Sequence, residues 1–292
     1  MFLILAIAIR LASNAQQVNE PGNLDSNWSR KYQPFRIAGN LYYVGTYDLA
    51  SYLITSTEGH ILVNTGLASS ATQIKNNIEQ LGFKFSDLKI LLTTQAHYDH
   101  MGAMSVIKEQ TGAKFYVTAG DSATAATGGA TDYELGKYGA TYQPIKPDRI
   151  LHDKETIRLG DAKLVVLNHP GHTKGSCSFM LETKDSARTY KVLIANMPSI
   201  ITDRPFEAIL DYPNISADYG KTLHSMKKLS FDIWVASHAS QFNLHKKHQP
   251  ADGYQPLSFA DKAGFYKALK KLQNDYDEKI KQDKKVNNST GK

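Results

Sequence analysis

Short apolar runs and turns alternate at the start of the ordered pattern. NLYYVGTY, SYLITS and HILVNTG span residues 40–66 and are punctuated by Gly45, Gly59 and Gly66, which predicts strands joined by tight connections. The spacing then changes to a helical one from Ser69 to Gly82, with Ile74, Ile78 and Leu81 on one face and Gly82 as a stop. Leu88–Leu92 reads as an apolar strand, residues 103–110 as a helix and Lys114–Thr118 as another strand. Residues 128–149, rich in Gly, Tyr and Pro, break the rhythm. It restarts with LVVLNHP, SCSFMLE and KVLIAN, followed by a helix over 216–229 with Tyr219, Leu223, Met226 and Leu229 inward. Asp232–Ala236 reads as a strand. A final stripe of Phe265, Leu269, Leu272, Tyr276 and Ile280, over Asp261 to about Lys281, predicts a surface helix packed on a core.

This succession describes two α/β halves whose strand-end loops point to a shared edge, a layout suited to a site between sheets. With 292 residues, 41% of them hydrophobic, the chain can bury a large core. The expected organisation is a leader at 1–15, a single domain at 16–285 and a polar tail at 286–292. The leader reading rests on MFLILAIAI, too short to span a bilayer, followed by Ser13-Asn14-Ala15, which fits the small-x-small rule for signal peptidase. It implies a periplasmic or secreted protein that keeps no membrane anchor once the leader is removed. A single cysteine, Cys177, cannot form an intramolecular disulfide. The net charge of +6 is dispersed in single residues and short pairs, with no basic stripe interleaved with aromatics, so no nucleic-acid surface is expected.

The chemistry concentrates at the exit of the Leu88–Leu92 strand, in TTQAHYDH. Gln95, His97, Asp99 and His100 can all donate to a cation, and imidazole with carboxylate suits zinc. The run has the form H-x-H-x-D-H with glutamine in the first position. On its own that permits a dead metal site, an unusual live one or a chance cluster. Two further histidines follow β-patterned runs among small residues: His172 in HPGHTKGSCS and His238 in VASHAS. A lone histidine is more often a hydrogen-bonded core residue. Three independent strand-end histidine loops in one chain are harder to explain that way.

YYVGTYDLASYLI, LVNTG, QAHYDHMGA, HPGHTKGSCSF, VLIANMPS and DIWVASHASQF together resemble the third subclass of metallo-β-lactamases, over about residues 36–245. They resemble most its GOB-like branch, whose motif begins with Gln. The resemblance implies a four-layer αββα sandwich and zinc-dependent hydrolysis of penicillins, cephalosporins or carbapenems by a metal-bound hydroxide, conferring resistance. It implies one zinc held by Gln95, His97 and His172, and a second held by Asp99, His100 and His238. Asp99 would also position the nucleophile. A neutral amide oxygen is a poorer zinc donor than imidazole, so the Gln95 site is expected to be the weaker. His169 reads as a loop residue outside the ligand set.

Some positions depart from the wider fold. Asn196-Met197-Pro198-Ser199 carries no carboxylate where many relatives bridge two metals, which leaves Ser199 available to a substrate carboxylate. Cys177, on the preceding strand, reads as core packing rather than a ligand. Asn64, where many relatives have Asp, reads as structural. Gly45–Ser51 and the 128–142 segment are expected as flexible walls of the site. The chain is expected to act as a monomer on a small molecule. The alternatives are another hydrolase of the same fold, acting on a thioester, lactone or phosphodiester, and a degenerate zinc-binding protein in which Gln95 marks a lost site.

Overall fold

The computed structural model of the chain describes residues 17–22 and 24–290; the expected leader lies outside them. Strands β1 (Phe35–Ala38), β2 (Leu41–Tyr43), β3 (Tyr52–Ser56), β4 (Gly59–Val63), β5 (Leu88–Leu92), β6 (Lys114–Thr118) and β7 (Arg149–Leu151) form one seven-stranded sheet in sequence order. Neighbours are antiparallel through β4 and parallel from β4 to β7. Strands β8 (Thr156–Leu159), β9 (Ala162–Asn168), β10 (Cys177–Lys184), β11 (Thr189–Ala195) and β12 (Ile233–Ala236) form the second sheet, in the order β12-β11-β10-β9-β8. Its only parallel pair is β11 with β12, and every residue of β12 is buried, as a strand covered on both faces requires.

The two sheets face each other across one apolar layer. Tyr43, Tyr52, Ile54 and Val63 from the first meet Val166, Phe179, Leu181 and Ile194 from the second, all buried. Helices α1 (Ala71–Gln80), α2 (Tyr98–Met101), α3 (Met104–Thr111) and α4 (Ala119–Ala126) follow strands of the first sheet. Ile74, Ile78, Met104 and Ile107 cover its outer face against Leu62, Leu91 and Phe115. Beyond the second sheet lie α5 (Ile215–Met226), the short α6 (Leu244–Lys247) and α7 (Lys262–Thr290), with Leu223, Met226, Phe265 and Leu269 turned inward. The result is the αββα sandwich. Among the described residues no helix is long and apolar enough to cross a membrane.

The long strands and amphipathic helices fall where the hydrophobic spacing places them; β5 and β6 match to the residue. Three features differ. Strands β7 and β8 are too short and polar to show a period, and α4 (AGDSATAA) has no apolar stripe. The last helix, expected to end near Lys281, continues to Thr290, because no Gly or Pro interrupts the chain after Gly264 until Gly291. Ion pairs such as Lys279–Asp283 at 3.0 Å support that helix. Finally, Gly45–Ser51 is not an open, loosely held wall. It is buried but for part of Tyr47, pairs with the β12 exit through Leu49 and His238, and carries the 3.1 Å bond from Ala50 N to Ser237 O.

Candidate metal centre

The strand-exit loop after β5 is shaped by local hydrogen bonds that compete with further pairing. Thr93 Oγ1 donates to Gln95 O at 2.6 Å, and Asn64 Oδ1 accepts from Thr94 N at 2.9 Å. Asn64 is fully buried in the left-handed region, φ 61°, a conformation asparagine tolerates better than most residues. Thr94 then ties the loop to the second sheet. Its carbonyl accepts from Cys177 N at 2.9 Å, and its hydroxyl lies 2.9 Å from Ser237 Oγ. Cys177 is buried on β10 and packs in the core. Gln95 therefore leaves from the bend after β5 and His97 on extended backbone, whereas Asp99 and His100 sit on the single turn of α2. The change of backbone is why the two pairs of side chains diverge.

His172 arrives from the loop between β9 and β10. Gly171 before it has φ 134°, and a Cβ there would collide with the Tyr219 ring. His172 Nδ1 donates to Ser199 O at 2.7 Å, an oxygen that also accepts from Tyr219 OH at 2.9 Å, so Nε2 is left for the site. His238 comes from the exit of β12, with Nδ1 3.2 Å from Asp48 Oδ2 and Nε2 3.3 Å from Asp99 Oδ2. His97 Nε2 lies 3.2 Å from Asp132 Oδ2.

Two clusters result. The ligating atoms of Asp99, His100 and His238 all lie within 4.8 Å of one another. The His97 and His172 rings stand 4.9 Å apart, and both border, with Gln95, a cavity of about 250 Å³. Trp28, Leu135, Met197 and Ile201 give that cavity apolar walls, and Ser199 and Asn196 are among its polar ones. Among the described residues no Lys or Arg lines it. His169 stands apart: it is buried, its Nδ1 is 2.7 Å from Ser178 Oγ, and burial pulls its pKa down to about 4.

The electrostatics favour a cation. Burial pushes Asp99 up, but the His100 and His238 rings outweigh it and hold the carboxylate well below its usual range. Burial pulls His238 down, yet the bonds to Asp48 and Asp99 raise it to about 9. His97 is likewise raised by Asp132 against the effect of burial, while burial and the neighbouring His97 lower His172 to about 3. His100 is lowered by burial. Its two ring nitrogens have no hydrogen-bond partner among the described residues, and Asp99 Oδ2 lies 3.1 Å from Nε2 as an ion-pair contact. An imidazole buried with both nitrogens unpartnered is costly unless something else takes a lone pair. Imidazole and carboxylate donors in this density fit zinc. The Gln95 side chain lines the same cavity, where its amide oxygen is a further neutral donor.

Three of the surrounding carboxylates were not legible as site residues. Asp48 sits on the Gly45–Ser51 loop, Asp121 on α4 and Asp132 in the 128–149 break; each is a single acid with no motif around it. Trp28 also escapes a pattern reading. It comes from the N-terminal segment and packs 5.6 Å from the His238 ring and 6.3 Å from Tyr98.

Residues 46–185 match the metallo-β-lactamase superfamily. The fold superimposes on the metallo-β-lactamase GOB-18 from Elizabethkingia meningoseptica with a TM-score of 0.91 and 57% identity, over 92% of this chain and 99% of that one. A class B3 di-zinc metallo-β-lactamase, LRA-12, from an Alaskan soil metagenome gives a TM-score of 0.88 and 60% identity, over 89% and 99%. A more distant curated relative, an acyl-coenzyme A thioesterase (MBLAC2) of Gallus gallus, is 24% identical over 56% of this chain, and the match spans 61% of that protein's length. With near-complete coverage at such identity, the chain belongs to the metallo-β-lactamases, in the GOB-like part of class B3.

Proposed function

We propose that the chain opens the β-lactam ring of penicillins, cephalosporins or carbapenems with two zinc ions. Gln95, His97 and His172 would hold one ion, and Asp99, His100 and His238 the other. The observation that carries this reading is the convergence of side chains from β5, the β9–β10 loop and the β12 exit on one cavity bordered by Trp28 and Ser199. Zinc bound here supplies Lewis acidity, polarising a carbonyl and bringing the ionisation of a nearby water to about pH 7.

The chain's own groups do the rest. Asp99, buried and held as a carboxylate, orients the attacking water toward the lactam carbonyl. As the C–O bond forms the C–N bond breaks, and the proton released from water ends on the ring nitrogen. Ser199 Oγ donates to the substrate carboxylate, a task left to neutral donors in a cavity that no Lys or Arg lines among the described residues. Trp28, Leu135 and Ile201 shelter the apolar substituents and exclude water from the reacting bond. Of the two ions, the one held by the neutral Gln95 amide is the weaker bound. The apolar run at residues 1–9, read as part of a leader at 1–15, supports a periplasmic or secreted location.

The test is hydrolysis of a carbapenem and a chromogenic cephalosporin by purified protein, with and without a chelator, beside a thioester and a lactone. Chelator-sensitive β-lactam turnover well above the others is expected; preference for the thioester would transfer the assignment to the thioesterase relatives. Asp99→Ala should abolish turnover at any zinc concentration, since it removes a ligand and the group that orients water. Full activity in that variant would contradict the mechanism.

A further inference from the structure

Outside the ligand sets, one buried carboxylate touches both loops that carry Gln95, His97 and His172. Asp121 lies in the first turn of α4 and is 1% exposed. Its Oδ2 accepts from Ala96 N at 2.9 Å and from Thr173 Oγ1 at 2.8 Å; its Oδ1 accepts from Gly175 N at 2.8 Å. Ala96 stands between Gln95 and His97, and Thr173 follows His172 directly. None of the three bonds reaches Asp99, His100 or His238.

The contact is close-packed as well as hydrogen-bonded. A Cβ on Gly175 would strike Asp121 N and Thr118 Oγ1, and one on Gly120 would strike the Lys174 backbone, so α4 is seated directly against the His172 loop. Thr118 Oγ1 adds a bond to Gly175 O. The loops come from different sheets, β5 in the first and β9–β10 in the second, and no covalent feature sets their separation.

We propose that Asp121 is the positioning residue of the Gln95/His97/His172 metal site, fixing the distance between its two loops without touching the metal. The proposal rests on the two-zinc reading above. Asparagine cannot take over the role. Whichever way its amide is turned, its NH₂ faces a backbone N–H, so it loses either Ala96 or Gly175. Thr173→Val removes the hydroxyl bond at similar volume, and Thr173→Ser restores it.

The experiment is zinc titration of the full chain against a chromophoric chelator, with the two binding steps assigned by His172→Ala and His238→Ala and cobalt(II) spectra recorded in parallel. Asp121→Asn should weaken the step lost in His172→Ala by about 10–100-fold and change its cobalt bands, while the other step stays within about threefold. Thr173→Val should shift the same step in the same direction, and Thr173→Ser should return it to the wild-type value. Unchanged affinities in both Asp121→Asn and Thr173→Val, or equal weakening of both steps, would overturn the role. If Asp121→Asn does not fold, the Thr173 pair decides. Absence of two steps in the wild type would instead remove the two-zinc reading itself.

Discussion

At the scale of single residues, the site depends on groups that look unremarkable in the sequence. Asn64 is the plainest case. It occupies a left-handed backbone position and its Oδ1 accepts from Thr94 N at 2.9 Å, with the Thr94 hydroxyl 3.2 Å away. Asn64→Ala adds backbone strain and leaves a buried N–H unpaired, a loss of about 2–4 kcal/mol in urea unfolding. Asn64→Asp keeps the acceptor and the conformational tolerance, and should lose clearly less. Equal losses would mean that the donors around Asn64 contribute nothing. The reading of Asn64 as structural came from its place in LVNTG; its reason became visible only in three dimensions. Asp48, Asp121 and Asp132 show the reverse situation. A single acid carries no spacing signal, so its partner histidine or loop is invisible until the chain folds.

Among the elements, legibility followed the strength of the period. β5, β6 and α5 repeat their apolar positions often enough to be read; α4 and β7 do not, and are placed by what they touch. The edge at β7 is held partly by Asp148, whose Oδ2 accepts from Phe115 N at 2.8 Å and lies 2.6 Å from Lys108 Nζ. Burial pushes the Asp148 carboxyl up, but Lys108, the Phe115 N–H and Lys114 outweigh it and hold it below its usual value. A carboxylate depressed in the folded state adds stability above its unfolded pKa, about 3.9, and that contribution disappears as pH falls through the folded value. Asp148→Asn should therefore cost about 1 kcal/mol at neutral pH, or roughly 2–4 °C in Tm. The gap between variant and wild type should close as pH falls through the folded value. A gap that persists unchanged in acid would show that the ion pairs are not its source.

For the whole molecule, the two sheets are joined by an apolar layer in the middle and by the site at one edge. A cation bound only by the folded chain stabilises it by about 2.7 kcal/mol when free ion is 100 times its dissociation constant. In a protein of this size that is on the order of 5–10 °C. Exhaustive chelation should lower Tm by such an amount, and restored zinc should recover it; an unchanged Tm would show that the histidine loops hold no stabilising ion. The sequence by itself determined the strongly periodic strands and helices, the succession of two α/β halves and the ligand-type side chains, because hydrophobic period and the spacing of Gln95, His97, Asp99 and His100 are local properties. The tertiary structure alone decided that His172 and His238 meet the Gln95–His100 loop, that a loop expected to move is buried, and which carboxylates orient the histidines. Those facts depend on contacts between residues far apart in the chain, such as Asp48 with His238, 190 positions away, and no local pattern encodes them.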